Sequence, residues 1–166
     1  FVDRATVWCG RNRTASGRKL HKNGPRTTQG RTMASKLNRL TYVEDEADIR
    51  AIAEFALTEF GRYEIDVCES GIEALERAPG FKPDLILLDV MMPGMDGVET
   101  YKRLRAMPQF VDTPIVFLTA KAMKHETDAY MLLGANGVIA KPFDPTALSA
   151  QVQEIWDRTK VCECLS

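Results

Sequence analysis

Five short apolar runs alternate with five segments of helical periodicity between residues 37 and 160. The apolar runs predict strands over 39–45, 63–70, 85–90, 113–120 and 137–141. Between them, apolar residues recur at three- and four-residue steps, which predicts helices over 48–60, 71–78, 97–106, 124–134 and 144–160. The run at 85–90 has no polar alternation and is typical of a strand that is buried on both faces. We therefore expect an α/β fold with a parallel sheet covered by helices on both faces.

Turn and cap residues set the predicted helix ends. Pro79 and Gly80 should close the second helix, and Gly134 should end the fourth. Asp144 should be the N-cap of the last helix, with Pro145 in its first turn. The first helix is expected to bury Ile49, Ile52, Ala53, Ala56, Leu57 and Phe60. The last helix is expected to bury Leu148, Val152, Ile155 and Trp156.

Charge divides the chain into two unlike parts. Residues 1–39 hold ten Lys and Arg against one acid, whereas residues 40–166 hold twelve against 22 acids. The opening segment is also poor in aliphatic residues and buries too little surface to order itself. We expect residues 1–36 to be a flexible or vector-derived tail, 37–160 one folded domain and 161–166 a C-terminal tail. A basic arm for nucleic acid is the less favoured reading of the first segment.

Apolar runs and cysteines limit where such a chain works. No run of about 18 apolar residues predicts a membrane span, and no apolar stretch near the start predicts a secretory signal. The four cysteines follow no CxxC or Cys/His ligand spacing, so disulfides and a zinc site are not expected. These observations favour the cytoplasm.

Polar side chains stand at the carboxyl ends of four predicted strands. Glu44 and Asp45 end the first, Asp89 the third, Thr119 the fourth and Lys141 the fifth. Each alone is more often an N-cap, a strand residue or a solvated charge. In a parallel α/β sheet, however, the carboxyl ends of the strands converge on one crevice. We therefore expect these five side chains to form one site.

The clustered charges indicate a cation and phosphate chemistry. At about 4 Å and an effective dielectric constant of about 20, each pair of carboxylates repels by about 4 kcal/mol. Lys141 supplies one positive charge for three acids, so a hard divalent ion such as Mg²⁺ is expected. Cation and ammonium together can offset the charge of a phosphoryl group that approaches Asp89, the candidate nucleophile. Thr119 can donate a hydrogen bond to a phosphoryl oxygen. No GxxxxGK[ST] loop is present, which disfavours ATP as direct donor.

Four stretches of residues 37–159 carry a family resemblance. They are YVEDE (42–46), LILLDVMMPGMDG (85–97), VFLTAKA (116–122) and AKPFDP (140–145). Together with the spacings between Asp45, Asp89, Thr119 and Lys141, they resemble the receiver domain of two-component response regulators. The resemblance implies a doubly wound, five-stranded parallel sheet of flavodoxin-like order 2-1-3-4-5 with five helices.

The resemblance also implies a role for each site residue. Asp89 would take a phosphoryl group from a histidine kinase or a histidine phosphotransfer protein, and Thr119 and Lys141 would contact its oxygens. The Mg²⁺ ligands would be Asp45, Asp89, the backbone carbonyl of Met91 and, through water, Glu44. The Lys141–Pro142 peptide bond is expected to be cis. The chain would catalyse only its own phosphorylation and dephosphorylation, and would not otherwise be an enzyme.

Three positions are expected to tune the switch. Many receivers carry an aromatic residue three positions before the lysine, but Val138 stands there in this chain, which removes an aromatic rotamer switch. Met91 offers no group that orients an attacking water, so slow loss of the phosphoryl group is expected. Lys121 can reach solvent or the phosphoryl group. By analogy, the face of the fourth helix, fifth strand and fifth helix would bind a downstream effector or a second copy of the chain.

Two alternative functions use the same sheet. One is an aspartyl-nucleophile phosphatase or phosphotransferase resembling the haloacid dehalogenases, but Met91 stands where those enzymes need a second aspartate. The other is a flavodoxin-like nucleotide-binding module, which the missing phosphate loop disfavours.

Overall fold

The computed structural model describes residues 36–120 and 123–163. Within them, five parallel strands form one sheet in the order β2-β1-β3-β4-β5, as predicted. The strands are β1 (Arg39–Val43), β2 (Glu64–Cys68), β3 (Leu85–Asp89), β4 (Ile115–Thr119) and β5 (Gly137–Ala140). The helices are α1 (Ala47–Glu59), α2 (Gly71–Phe81), α3 (Gly97–Ala106), α4 (Lys124–Leu132) and α5 (Pro145–Glu163). A short 3₁₀ turn, Pro108–Phe110, follows α3. The tail predicted over 1–36 lies outside the described residues, except for Lys36.

Two apolar clusters cover the two faces of the sheet. One joins α1 and α5 to the sheet, and α5 contributes the predicted stripe of Leu148, Val152, Ile155 and Trp156. The other joins α2, α3 and part of α4 to the opposite face. Every residue of β3 and β4 is buried between these layers, which is why both strands read as continuous apolar runs.

Short polar side chains cap the starts of three helices, and a glycine follows the end of a fourth. Ser70 and Asp96 accept hydrogen bonds from Glu73 N and Glu99 N at the starts of α2 and α3. Asp144 accepts from Thr146 N at the start of α5. Gly134 follows α4 with φ of +99°, a backbone conformation in which glycine has no steric penalty.

Three predicted helix features were wrong. Pro79 and Gly80 do not close α2, which continues to Phe81 and ends with Lys82 in the left-handed region at φ +56°. Pro79 lies in the last turn, where it removes one hydrogen bond, while Lys82 N still bonds to Ala78 O at 2.8 Å. At the other end of the domain, α5 runs to Glu163 rather than stopping at residue 160, since no Gly or Pro interrupts it.

The apolar stripe of α1 is the third wrong prediction, because only part of it is buried. Ala53, Ala56 and Leu57 are fully buried, but Ile52 and Phe60 are about half exposed. Phe60 instead packs its ring against the exposed ring of Phe55, with centroids 6.1 Å apart, so the buried face of α1 is narrower than the apolar stripe in the sequence. Across the described residues, no helix has the length and apolar character that crossing a membrane requires.

Candidate functional site

The sheet register brings the five predicted side chains to one edge. Glu44 and Asp45 directly follow β1, Asp89 and Thr119 are the last residues of β3 and β4, and Lys141 directly follows β5. In the register, Val43 pairs with Leu88, Asp89 with Leu118 and Thr119 with Ala140, so these strand ends are level with one another. The backbone N–H of Lys141 also donates to the carbonyl of Thr119 at 2.8 Å.

Three carboxylates form the centre of the site. Glu44, Asp45 and Asp89 each offer one oxygen within 4.8 Å of the others. Glu44 and Asp89 are buried, whereas Asp45 is partly exposed. The Oε1 atom of Glu44 and the Oδ1 atom of Asp45 are buried without a hydrogen-bond partner. Unpaired carboxylate oxygens are costly in an interior, so this donor set fits a hard divalent cation with oxygen ligands.

Lys141 pairs with two of these acids. Its Nζ atom lies 2.5 Å from Glu44 Oε2 and 3.0 Å from Asp89 Oδ1, and its side chain is 9% exposed. Burial alone lowers the pKa of Lys141, but the bonds to Glu44 and Asp89 outweigh it and leave the pKa above its ordinary value. The ammonium is therefore charged and centred between the acids of β1 and β3.

Glu44 has a second donor that the sequence reasoning missed. The Tyr42 hydroxyl donates to Glu44 Oε2 at 3.0 Å, and both residues are fully buried. Burial raises the pKa of Glu44, and its bonds to Lys141 and Tyr42 only partly reverse this. Burial and the neighbouring Glu44 carboxylate also raise the pKa of Tyr42 well above its ordinary value. The sequence does contain a signal for this contact, because side chains two residues apart along an extended chain, such as Tyr42 and Glu44, point to the same face of the sheet.

Arg50 bonds to the backbone of the segment after β1 that carries Glu44 and Asp45. Its Nη1 atom donates to the carbonyl oxygens of Glu44 and Asp45 at 2.8 and 3.0 Å, and its Nη2 atom pairs with Glu69 at 3.0 Å. These bonds fix the backbone that carries both acids. The sequence places Arg50 on the first turns of α1, but it gives no signal that the side chain turns back to the loop.

The loop after β3 lies beside Asp89. It closes where Gly97 N donates to Val90 O at 3.0 Å. A Cβ atom at Gly97 would stand 2.8 Å from Val90 Cα, so the start of α3 needs glycine there. Met91 lies in this loop with a side chain that is 57% exposed. The Lys141–Pro142 bond, which follows β5, is cis, as the resemblance implied.

Of the predicted tuning positions Val138 and Lys121, the structure describes only Val138. Val138 pairs with Phe117 across β4 and β5 and packs, partly buried, against the apolar cluster that contains Phe117, as Tyr130 also does. Lys121 lies outside the described residues.

The assembled site and fold match a known family. Residues 40–153 match the response regulator receiver domain. The chain belongs to that family. This receiver is 40% identical over 120 residues to the phosphate regulon transcriptional regulatory protein PhoB of Pseudomonas aeruginosa, covering 72% of this chain and 52% of that protein. It is 37% identical over 123 residues to the alkaline phosphatase synthesis transcriptional regulatory protein PhoP of Bacillus subtilis, covering 74% of this chain and 50% of that protein.

Solved receiver structures have the same fold. The chemotaxis protein CheY4 of Vibrio cholerae superposes with a TM-score of 0.67 at 32% identity, covering 72% of this chain and 99% of that one. A response regulator structure from Chloroflexus aurantiacus gives 0.67 at 34% identity, covering 74% and 99%. The chain thus matches whole single receivers, while it spans about half the length of the transcriptional regulators.

Proposed function

We propose that this receiver takes a phosphoryl group from a phosphohistidine onto Asp89 in a Mg²⁺-dependent reaction. One observation carries the proposal: Asp89 ends a central strand between two further acids and the ammonium of Lys141. A carboxylate at the edge of the sheet can attack phosphorus, and the neighbouring charges can offset those of the phosphoryl group. In the transfer, an Asp89 oxygen forms the new P–O bond, the P–N bond breaks and the imidazole leaves.

The residues present fit a magnesium ion. Asp45 and Asp89 would hold it directly together with the Met91 backbone carbonyl, and Glu44 would act through water. When bound, the ion would offset the negative charge of the carboxylates and of the phosphoryl group. The buried, unpartnered oxygens of Glu44 and Asp45 support this assignment, since a cation and its waters would give them partners.

Lys141 and Thr119 would contact the phosphoryl group on Asp89 and respond to its presence. Lys141 already touches Asp89, so its ammonium needs only a short movement to contact a phosphoryl oxygen on that residue. Thr119 is fully buried at the end of β4, and its hydroxyl would donate to another oxygen. Because Val138 replaces an aromatic residue, the change would pass through Thr119 and the segment after β4 rather than through a rotating ring.

The partners follow from the same assignment. The donor would be a histidine kinase or a histidine phosphotransfer protein. The effector would bind the face formed by α4, β5 and α5, and a second copy of the chain could use the same face. The exposed apolar surface of α4 supports the choice of this face. The helix has no fully buried residue, and its end exposes Met131, Leu132 and Leu133. Nucleic acid and membrane are not proposed as partners, and the chain would work in the cytoplasm. Its proposed organisation is a basic tail (1–36), a receiver (37–160) and a C-terminal segment (161–166), whose first residues continue α5 to Glu163.

Phosphotransfer from a radiolabelled phosphohistidine protein tests the proposal. We expect label on the wild-type chain in the presence of Mg²⁺, none with EDTA and none on Asp89→Asn. Asp112→Asn is a matched control, because it removes an exposed acid outside the site. Equal labelling of Asp89→Asn and the wild type would disprove Asp89 as the acceptor.

A further inference from the structure

Tyr42 joins the apolar core to the phosphorylation site. Its side chain is part of the cluster that joins α1 and α5 to the sheet, and the whole residue is fully buried on β1. Its hydroxyl emerges at the site and donates to Glu44 Oε2 at 3.0 Å. Strand β1 pairs with β2 and β3 on its two sides, so the backbone that carries Tyr42 is held in place.

The two oxygens of Glu44 have different surroundings. Oε2 accepts from the Tyr42 hydroxyl and lies 2.5 Å from Lys141 Nζ. Oε1 is buried and has no hydrogen-bond partner. Both donors lie on Oε2, so Oε1 is the oxygen left for an ion-bound water.

The donor set of Glu44 must change when Asp89 is phosphorylated. Lys141 is shared between Glu44 and Asp89, and a phosphoryl group on Asp89 would draw the ammonium away from Glu44. A buried carboxylate that loses a donor is destabilised, because no solvent replaces the lost bond. Tyr42 does not share this competition, because its hydroxyl reaches the site from within the core.

We propose that Tyr42 is a positioning residue, whose hydroxyl holds Glu44 so that Oε1 serves the magnesium-bound water while Lys141 is free to turn to the phosphoryl group. This rests on the proposed function, since it assumes Mg²⁺ in the acidic site. Tyr42 acts through Glu44 and does not itself touch the ion or the phosphoryl group.

Calorimetric titration of the full chain with Mg²⁺ tests the role of the hydroxyl. Tyr42→Phe keeps the ring and removes only the donor to Glu44. We expect its Mg²⁺ affinity to fall on the order of tenfold, as is usual when a partner of a metal-site residue is lost. Tyr63→Phe is the matched control: Tyr63 is buried in the same cluster, but its hydroxyl lies by Ser149 O and Gln153. Its affinity should equal that of the wild type.

A double-mutant cycle separates positioning from a general effect on the fold. In a Glu44→Ala background, the further change Tyr42→Phe should leave the Mg²⁺ affinity unchanged, because position 44 then has no side-chain oxygen that could accept from the Tyr42 hydroxyl. Wild-type affinity in Tyr42→Phe, or an equal loss in both backgrounds, overturns the inference alone. A wild-type chain that binds no Mg²⁺ overturns the magnesium part of the proposed function and the inference with it.

Discussion

Asp45 can be changed to measure the electrostatic cost of the acidic site. It is the partly exposed member of the three carboxylates, and one of its oxygens lies within 4.8 Å of an oxygen of Glu44 and of Asp89. At that distance and an effective dielectric constant of about 20, each pair repels by about 3.5 kcal/mol. Asparagine has nearly the same shape and removes both repulsions.

Two effects reduce the stability that Asp45→Asn gains from losing these repulsions. The variant also loses the attraction between Asp45 and the Lys141 ammonium, and solvent screens an acid that is partly exposed. We expect the metal-free Asp45→Asn variant to be more stable than the wild type by about 1–2 kcal/mol after these offsets. Urea unfolding in EDTA, followed by circular dichroism, measures the difference directly.

Magnesium should reverse the order of stability. A ligand present at about one hundred times its dissociation constant stabilises the protein that binds it by about 2.7 kcal/mol. The wild type should gain this, whereas Asp45→Asn, with a proposed ligand removed, should gain little. Asp112→Asn, an exposed acid outside the site, should follow the wild type in both conditions. If Asp45→Asn is less stable than the wild type in EDTA, like-charge repulsion does not destabilise the metal-free site.

Three further predictions concern single side chains. Arg105→Ala should destabilise the fold by about 2–3 kcal/mol in urea, because its guanidinium donates to the carbonyls of Phe110 and Thr113 and to Asn136. Arg103→Ala removes only an exposed pair with Glu99 and should cost about 0.5 kcal/mol or less, so equal losses would contradict the assignment. Burial raises the pKa of the Cys68 thiol to about 12, so at pH 8 only about one part in ten thousand is thiolate. Peptide mapping should then find Cys68 unlabelled by a thiol reagent in the native chain and labelled in urea; fast native labelling would be inconsistent with this. Replacing Met91 with Asn should shorten the life of the phosphoryl group several-fold by orienting water, and an unchanged half-life would disprove that role for this position.

Much of the fold follows from local pattern. Continuous apolar runs in β3 and β4 predict strands covered on both faces, and the alternation with helices predicts a parallel sheet. The order of the strands came from the resemblance, since periodicity carries no information on which strands are neighbours. Helix α2 shows a limit of local rules: Pro79 reads as a stop, but one lost hydrogen bond in a last turn is tolerated when Lys82 supplies the left-handed cap.

The sequence predicted which residues form the candidate site, but not most of the hydrogen bonds that orient them. Asp89, Thr119 and Lys141 stand at strand ends, and the topology alone brings such residues together. The donors that orient the acids come from elsewhere, as Arg50 does from α1. Such contacts depend on side-chain rotamers and on the path of the loop, neither of which a pattern of residue types specifies.

Intact mass spectrometry detects phosphorylation of Asp89 without any partner protein. The chain is incubated with acetyl phosphate and Mg²⁺, and its mass is measured before and after treatment with base. We expect a single phosphoryl adduct that base removes, that EDTA prevents and that Asp89→Asn lacks. No adduct on the wild type, or an equal adduct on Asp89→Asn, would contradict it.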